Sequence, residues 1–306
     1  MSAQNVLFDL PGPKARRRHG LLNVVGALVV LGIGAYVVWM LQRAGQFDPK
    51  LWAPMIKWST WKNYFLSGLY YTLLAAVISV ALALIFGIVF GMGRLATNRI
   101  VRWVSGLIVE FFRAVPVLIL MIAAYNILGR GGYVAPKHTP LLAVVIALTL
   151  YNGAVIAELV RSGVYGLPRG QREAGLAVGM TRAQSIRSIE LPQAIIAMLP
   201  ALVSQFVIIL KDSALGTIVT YSELLQSARL LGTQNPLPIL QSLFIAALIF
   251  IAVNYVLTRL AEGATSLVSG RTSGRARAVG QAPGASVTAP PIGIPLDQEP
   301  ERDPAE

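Results

Sequence analysis

Between Leu66 and Gly93 the chain runs for 28 residues without a charge. As a helix this stretch is about 42 Å long, enough to cross the roughly 30 Å hydrocarbon core of a bilayer with tilt. Lipid offers no partner to backbone N–H and C=O groups, so such a run must satisfy them internally. A continuous apolar run, without strand-like alternation, makes that structure a helix. Leu21–Leu41 is a second uncharged run, of 21 residues. Shorter apolar runs follow at about 103–128, 141–160, 192–210 and 239–257. The chain has 306 residues, 55% apolar and only 13% charged. The fold class expected is an all-α polytopic membrane protein with about six transmembrane helices.

The segments between the runs set the remaining organisation. Residues 1–20 are polar and basic, with Lys14, Arg16, Arg17 and Arg18 before the first span. A cleaved signal peptide competes with an uncleaved span for 21–41. The length of the apolar run and the lack of Ala-x-Ala cleavage chemistry after it favour the span. Residues 42–65 carry Trp52, Trp58, Trp61 and Tyr64 among Lys50, Lys57 and Lys62, which suits a headgroup layer as an interfacial helix or an anchored loop. A core of spans is expected over 66–260, with a polar segment at 161–191. From about 261 the chain turns rich in Gly, Pro, Ser and Ala and is expected to be disordered.

The net charge of +12 raises the question of nucleic acid. The cations, however, sit in short loops between spans, without an aromatic-interleaved basic face, so no nucleic-acid partner is expected. With the N-terminus inside, 17 Lys and Arg lie on the inner side and 8 on the outer, with Arg113 inside a span. Both termini and the 161–191 segment are therefore expected in the cytoplasm. The chain has no Cys, no phosphate-binding Gly-x4-Gly-Lys-Ser/Thr loop, no catalytic triad and no metal-ligand spacing around His19 or His138. These patterns point away from an enzyme, a metal site or a bound cofactor.

One polar island stands out. Gln171–Val178 reads as a helix that Gly179 can close in the left-handed conformation. Thr181 and Gln184 have capping-box spacing for a second short helix, and Pro192 suits the first turn of the next span. A water-exposed segment of this regularity suits a docking element for a cytoplasmic partner; a plain surface loop is the other reading.

The run Glu173-Ala174-Gly175, with Gly179, Leu191 and Pro192 at fixed spacing, resembles the EAA signature of ATP-binding-cassette importer permeases. Gly175 stands where the family has a second alanine, at a cost of roughly 1 kcal/mol in helicity. It leaves a small residue where a partner approaches. Phe111-Phe112-Arg113-Ala114-Val115-Pro116 resembles the Phe-Phe-Arg-Gly-Thr-Pro run of the polar-amino-acid (histidine/glutamate/glutamine-type) permeases, matching at Phe112, Arg113 and Pro116. Lys211-Asp212-Ser213-Ala214-Leu215 resembles another run of that family.

The resemblance covers about 66–260 and implies a five-helix permease core, here preceded by one extra span. It implies a bacterial inner-membrane location. Its partners would be a cytoplasmic ATP-binding subunit dimer, a second permease subunit, an extracytoplasmic amino-acid-binding protein and membrane lipid. Glu173, Ala174, Gly175, Gly179, Leu191 and Pro192 would form the ATPase-docking element. Charges inside spans are costly and mark paths or pairs. Arg113, Glu158, Lys211 and Asp212 are the substrate-path candidates. Arg113 could grip a substrate carboxylate or pair with Glu110, three residues back; Glu158 could line the cavity or pair with Arg161. The family run and the basic chain favour an amino acid, with glutamate first. An ion-coupled secondary transporter or a non-transport membrane scaffold are the alternatives; neither repeated halves nor a catalytic constellation is visible.

Overall fold

The computed structural model describes residues 12–234 and 237–280. Twelve α-helices follow in order: α1 Pro13–Arg43, α2 Pro49–Ile56, α3 Trp58–Thr60, α4 Leu66–Leu95, α5 Arg99–Ala114, α6 Val117–Gly131, α7 Thr139–Tyr165, α8 Arg169–Ala177, α9 Arg182–Ser185, α10 Leu191–Asp212, α11 Leu224–Gly232 and α12 Ile239–Gly280. Five helical stretches are long and apolar enough to cross a membrane, and six if the bent pair α5–α6 is one span. The all-α polytopic expectation is met.

The centre is α7, which buries more of its length than any other span. Its small residues Ala147, Gly153, Ala154 and Ala157 are buried, so neighbours approach closely on several sides. The tightest approach is at Gly87 of α4. A Cβ placed there would lie 2.4 Å from Cγ2 of Ile156, a fully buried residue of α7. Small residues at a crossing let two helix backbones gain dispersion contacts that larger side chains would hold apart. Gly91 makes the same approach to Val160 one turn on, so the Gly87-x3-Gly91 spacing is a genuine crossing motif here.

A second apolar cluster joins Met55 of α2, Phe65, Leu224 and Ala228 of α11, and Ala246 of α12. Trp52 is held in it by an edge-on contact with Phe244, and its Nε1 donates to the Gln46 carbonyl at 3.1 Å. Gln241 of α12 donates to the same carbonyl at 2.7 Å. The aromatic segment after α1 is thus fastened to α12. By contrast, α1 buries no side chain among its described residues, and Leu21, Leu28, Leu31 and Ile33 are exposed. This is the composition of a helix facing lipid.

Three expectations are refined. The third span is not one straight helix: α5 and α6 meet at 98°. Pro116 excludes α-helical geometry at Val115, which is extended at φ −82°, ψ 126°, and α6 restarts beyond the proline. The fifth span does not begin at Pro192. It runs without a break from α9 through a π-helical turn, Ile186–Glu190, into α10. That wider turn precedes Pro192, whose missing N–H it helps accommodate. Finally, α12 continues to Gly280, over the first part of the stretch expected to be disordered. Leu260, Ala261 and Glu262 are good helix formers, and Arg259 pairs with Glu262 at 3.5 Å across one turn. The remainder of that stretch, 281–306, and the N-terminal residues 1–11 lie outside the described residues.

Candidate functional site

The polar island folds as a braced hairpin of helices. α8 ends at Ala177, and Gly179 sits at φ +81°, where its N–H donates to Leu176 O at 3.0 Å and the Met180 N–H to Gly175 O at 3.1 Å. Thr181 and Gln184 form the expected capping box. The hairpin closes because Gly175 lets α9 come in: a Cβ at Gly175 would lie 2.8 Å from Ser185 Oγ and 3.1 Å from Ile189 Cδ1. The small residue therefore admits the chain's own α9.

Below the crossing, Glu190 is almost fully buried. It accepts from Ser185 Oγ at 2.8 Å and pairs with Arg182. Gln193 Nε2 donates to Gln171 Oε1 at 2.9 Å, tying α10 to α8. With Gly175 and Glu190 turned inward, Glu173, Ala174, Leu176 and Val178 are left exposed, Val178 at 74%. Leu191 is half-buried and Pro192 exposed at the start of α10. The bracing role of Glu190 was not read from the sequence, where its only signal was a carboxylate eight residues after Arg182.

The charges in and beside the third and fourth spans converge as five side chains from three helices. Glu158 of α7 is the hub. Arg161 reaches it at 2.5 Å, Arg94 of α4 at 2.9 Å and Arg113 of α5 at 3.7 Å. Arg94 also pairs with Glu110 at 3.0 Å, and Arg113 with Glu110 at 3.3 Å. Both local pairs weighed in the sequence are therefore present, and a long-range one joins them through Arg94. The side chains of Arg94 and Glu158 are 13% and 21% exposed, whereas Arg113 and Glu110 are 37% and 58% exposed. The cluster thus has a shielded base and an open rim. Three guanidiniums against two carboxylates leave one positive charge, and Arg113 carries the longest pairings at the rim.

Lys211 and Asp212 do not join this cluster. They end α10, whose beginning lies beside α7 at Gly163 and Ala194, while Gly216, just beyond α10, packs on Val144 near the opposite end of α7. About 20 residues of helix, some 30 Å, separate the two positions. Midway along, Gln205 of α10 donates to Asn152 of α7 at 2.5 Å, and Asn152 Nδ2 donates to Leu148 O at 3.0 Å. Both side chains are buried. Nothing in the sequence linked these two amides, which are 53 positions apart.

At that opposite end the chain after α10 is pinned to α4. Tyr221 Oη donates to Tyr71 O at 2.8 Å, and the Leu224 N–H donates to Thr72 Oγ1 at 3.0 Å. Glu223 caps α11, accepting from the Leu225 and Gln226 N–H groups at 2.7 Å each. Burial pushes its carboxyl up to about 7, against the opposing pull of those two N–H groups. A carboxyl raised in the folded state favours folding most below its ordinary value of 4.5, and that contribution is lost as pH rises through 7. The thermal midpoint of the purified protein is expected to fall between about pH 5 and pH 8, with Glu223→Gln flattening the slope. A wild-type slope in the variant would remove Glu223 as its source.

Comparison with known proteins fits this architecture. Residues 83–264 match the family described as binding-protein-dependent transport system inner membrane component. Over 223 residues the chain is 49% identical to the glutamate transport system permease protein GluD of Corynebacterium glutamicum, covering 73% of this chain and 81% of that one. It is 32% identical over 200 residues to the probable glutamine ABC transporter permease protein GlnP of Bacillus subtilis, covering 64% and 89%. Among solved structures, a chain of an amino acid ABC transporter crystallised with histidines superposes with a TM-score of 0.59 at 28% identity, covering 65% of this chain and 91% of that one. A chain of the inward-facing MetNI methionine ABC transporter shares the fold, with a TM-score of 0.56 at 19% identity. The matched region spans α4 to α12 and holds the α8–α9 hairpin, the Glu158 cluster and the bent α5–α6 pair. The chain is therefore a multi-pass member of the family of inner-membrane components of binding-protein-dependent transport systems, a permease subunit of the ATP-binding-cassette importer type.

Proposed function

We propose that this permease imports glutamate, or another polar amino acid, together with a second permease subunit, a dimer of cytoplasmic ATP-binding subunits and an extracytoplasmic amino-acid-binding protein. ATP hydrolysis belongs to the partner subunits. The observation that carries the coupling half of this reading is the braced α8–α9 hairpin. Its inward side is locked by Gly175 and by the Ser185–Glu190–Arg182 set, and its outward side offers Glu173, Ala174, Leu176 and Val178. Such a stiff, exposed element suits a docking face through which force is passed. Both termini and this hairpin are assigned to the cytoplasm on the distribution of Lys and Arg. The glutamate assignment is supported by the 49% identity to a glutamate permease and by the surplus positive charge at the rim of the Glu158 cluster.

In this mechanism ATP binding draws the two ATPase subunits together and carries the hairpins with them, favouring the outward-open state; hydrolysis restores the inward-open one. Each ligand shifts the balance by its differential affinity for the two states. Arg113, with its loose pairings, is the group assigned to an incoming carboxylate, and Glu158 holds it in place from below. Lys211 and Asp212 sit at the opposite end of the path, where they would act on entry.

The test is Gly179→Leu in the assembled complex. A leucine forced to φ near +81° strains the turn by roughly 1–2 kcal/mol and tilts α8 against α9. Membrane insertion and protein level should stay normal while uptake falls sharply relative to ATP hydrolysis. Normal coupled uptake in this variant would count heavily against the docking role. Robust transport by the purified chain alone, driven by an ion gradient, would replace the importer reading with a secondary transporter.

A further inference from the structure

The end of the bundle opposite the α8–α9 hairpin holds a cavity of about 520 Å³, formed where α6 turns into α7. Its size falls within the roughly 300–1,000 Å³ of small-molecule sites. Tyr125 and Asn126 of α6 form one wall, Arg130 and Tyr133 the turn, and Thr139 of α7 the floor. Three features make it more than a surface fold. Arg130 is its only ionisable cation, no acid lines it, and among the described residues Arg130 has no ion pair. Thr139 is 3% exposed and its Oγ1 has no hydrogen-bond partner. A buried hydroxyl left unpaired is costly, and Thr139 borders this cavity, so that a rotation of its side chain would bring the shielded Oγ1 to a ligand there. Tyr133, finally, lies folded over Gly131, where any Cβ would come within 2.0 Å of its ring. The glycine is what allows the ring to lie there, with Tyr133 still 76% exposed.

We infer that this cavity receives an amino acid on the side from which substrate enters, before it reaches the Glu158 cluster. Arg130 pairs with a carboxylate, and the Thr139 hydroxyl donates a second hydrogen bond to it. The Asn126 amide nitrogen already donates to Ile122 O at 2.8 Å, so its Oδ1 is the group left to accept from the ammonium. The rings of Tyr125 and Tyr133 cover the aliphatic part. A single cation, neutral acceptors and aromatic walls suit one carboxylate and the ammonium of an amino acid better than a phosphate, which would call for more cations. This inference rests on the importer reading, which supplies both the substrate class and the sidedness.

The experiment uses the complete permease–ATPase complex in nanodiscs, without the binding protein, and measures bound radiolabelled glutamate. Arg130→Gln is expected to weaken binding by about tenfold or more, the loss of a charge-assisted pair. Thr139→Val, close to it in shape, should weaken binding several-fold while leaving the complex intact on gel filtration. Lys137→Gln, a nearby cation outside the cavity, serves as control and should bind as wild type. Wild-type glutamate binding in both Arg130→Gln and Thr139→Val would overturn the site. So would a loss confined to capture of the binding protein, measured separately by interferometry, because the cavity would then belong to a docking face. A wild-type complex that imports glutamate but retains none in this assay also overturns the site and leaves the importer reading standing. Absence of any amino-acid uptake by the wild type brings down both.

Discussion

Glu158→Ala is expected to disable the permease, with uptake falling below a tenth of wild type and the purified complex losing thermal stability. Glu158 draws together Arg161 at 2.5 Å, Arg94 at 2.9 Å and Arg113 at 3.7 Å. Without it, three guanidiniums from three helices face one another, with only the exposed Glu110 to offset them. Breaking a buried pair by deleting one partner costs roughly 3–5 kcal/mol, because the other charge stays shielded from water. At about one-fifth exposure, the lower end of that range is the expected loss. A double-mutant cycle separates this from a simple packing defect. Glu158→Gln combined with Arg94→Met should recover part of the stability lost by Glu158→Gln alone, since the remaining charges again nearly balance. Strict additivity of the two changes would mean that the 2.9 Å contact contributes nothing.

Gly87→Leu is expected to prevent folding altogether. The new Cβ alone would fall 2.4 Å from Ile156 Cγ2 and 2.6 Å from Ile156 Cβ, with the Gly153 carbonyl 3.2 Å away. Ile156 is β-branched and fully buried, so it cannot swing aside. Overpacking a core costs roughly 1–3 kcal/mol even when only methylenes are added. Here two helix backbones must separate at the centre of the bundle, so the loss should exceed that range. Detergent-extracted yield and the gel-filtration profile report it directly. Gly87→Ala is the milder form, and Ile156→Gly should rescue it by moving the small residue to the other helix. A soluble, monodisperse Gly87→Leu protein would mean that α4 and α7 do not cross as described.

Much of this architecture was legible from the residues. Charge-free runs marked the spans because a bilayer sets their length, and the capping box of Thr181 and Gln184 marked α9 because its hydrogen bonds are local. The sharp bend of the third span was not foreseen. Pro116 was visible, but a proline inside an apolar run can merely kink a helix, and the 98° turn depends on how α5 and α6 each find neighbours. The join of α9 to α10 was hidden for a similar reason: a cap, a bend and a proline look like two separate helices until a π-helical turn connects them. At the site, local pairs such as Glu158 with Arg161 could be anticipated from helical spacing. Arg94 and the pair Asn152 with Gln205 could not, since their partners are chosen by packing and not by chain proximity; the partners of Glu190 are near in the chain, but the π-helical turn that brings them to it was not foreseen.

The unbroken path from Arg182 to Asp212 has a mechanical consequence. Thirty-one helical residues make a rod of about 45 Å. One end is clamped beneath the exposed hairpin by Glu190, and the other ends in Lys211 and Asp212. A rod rocked by about ten degrees around Gln205, 23 residues from Arg182 and seven from Asp212, swings those tips some 6 Å and 2 Å in opposite directions, by simple geometry on those lengths. Under the proposed coupling, a push on the hairpin needs no relay of small rearrangements to be felt at the far end. It arrives there as the opposite stroke of a seesaw, whose fulcrum is the buried amide contact between Gln205 and Asn152.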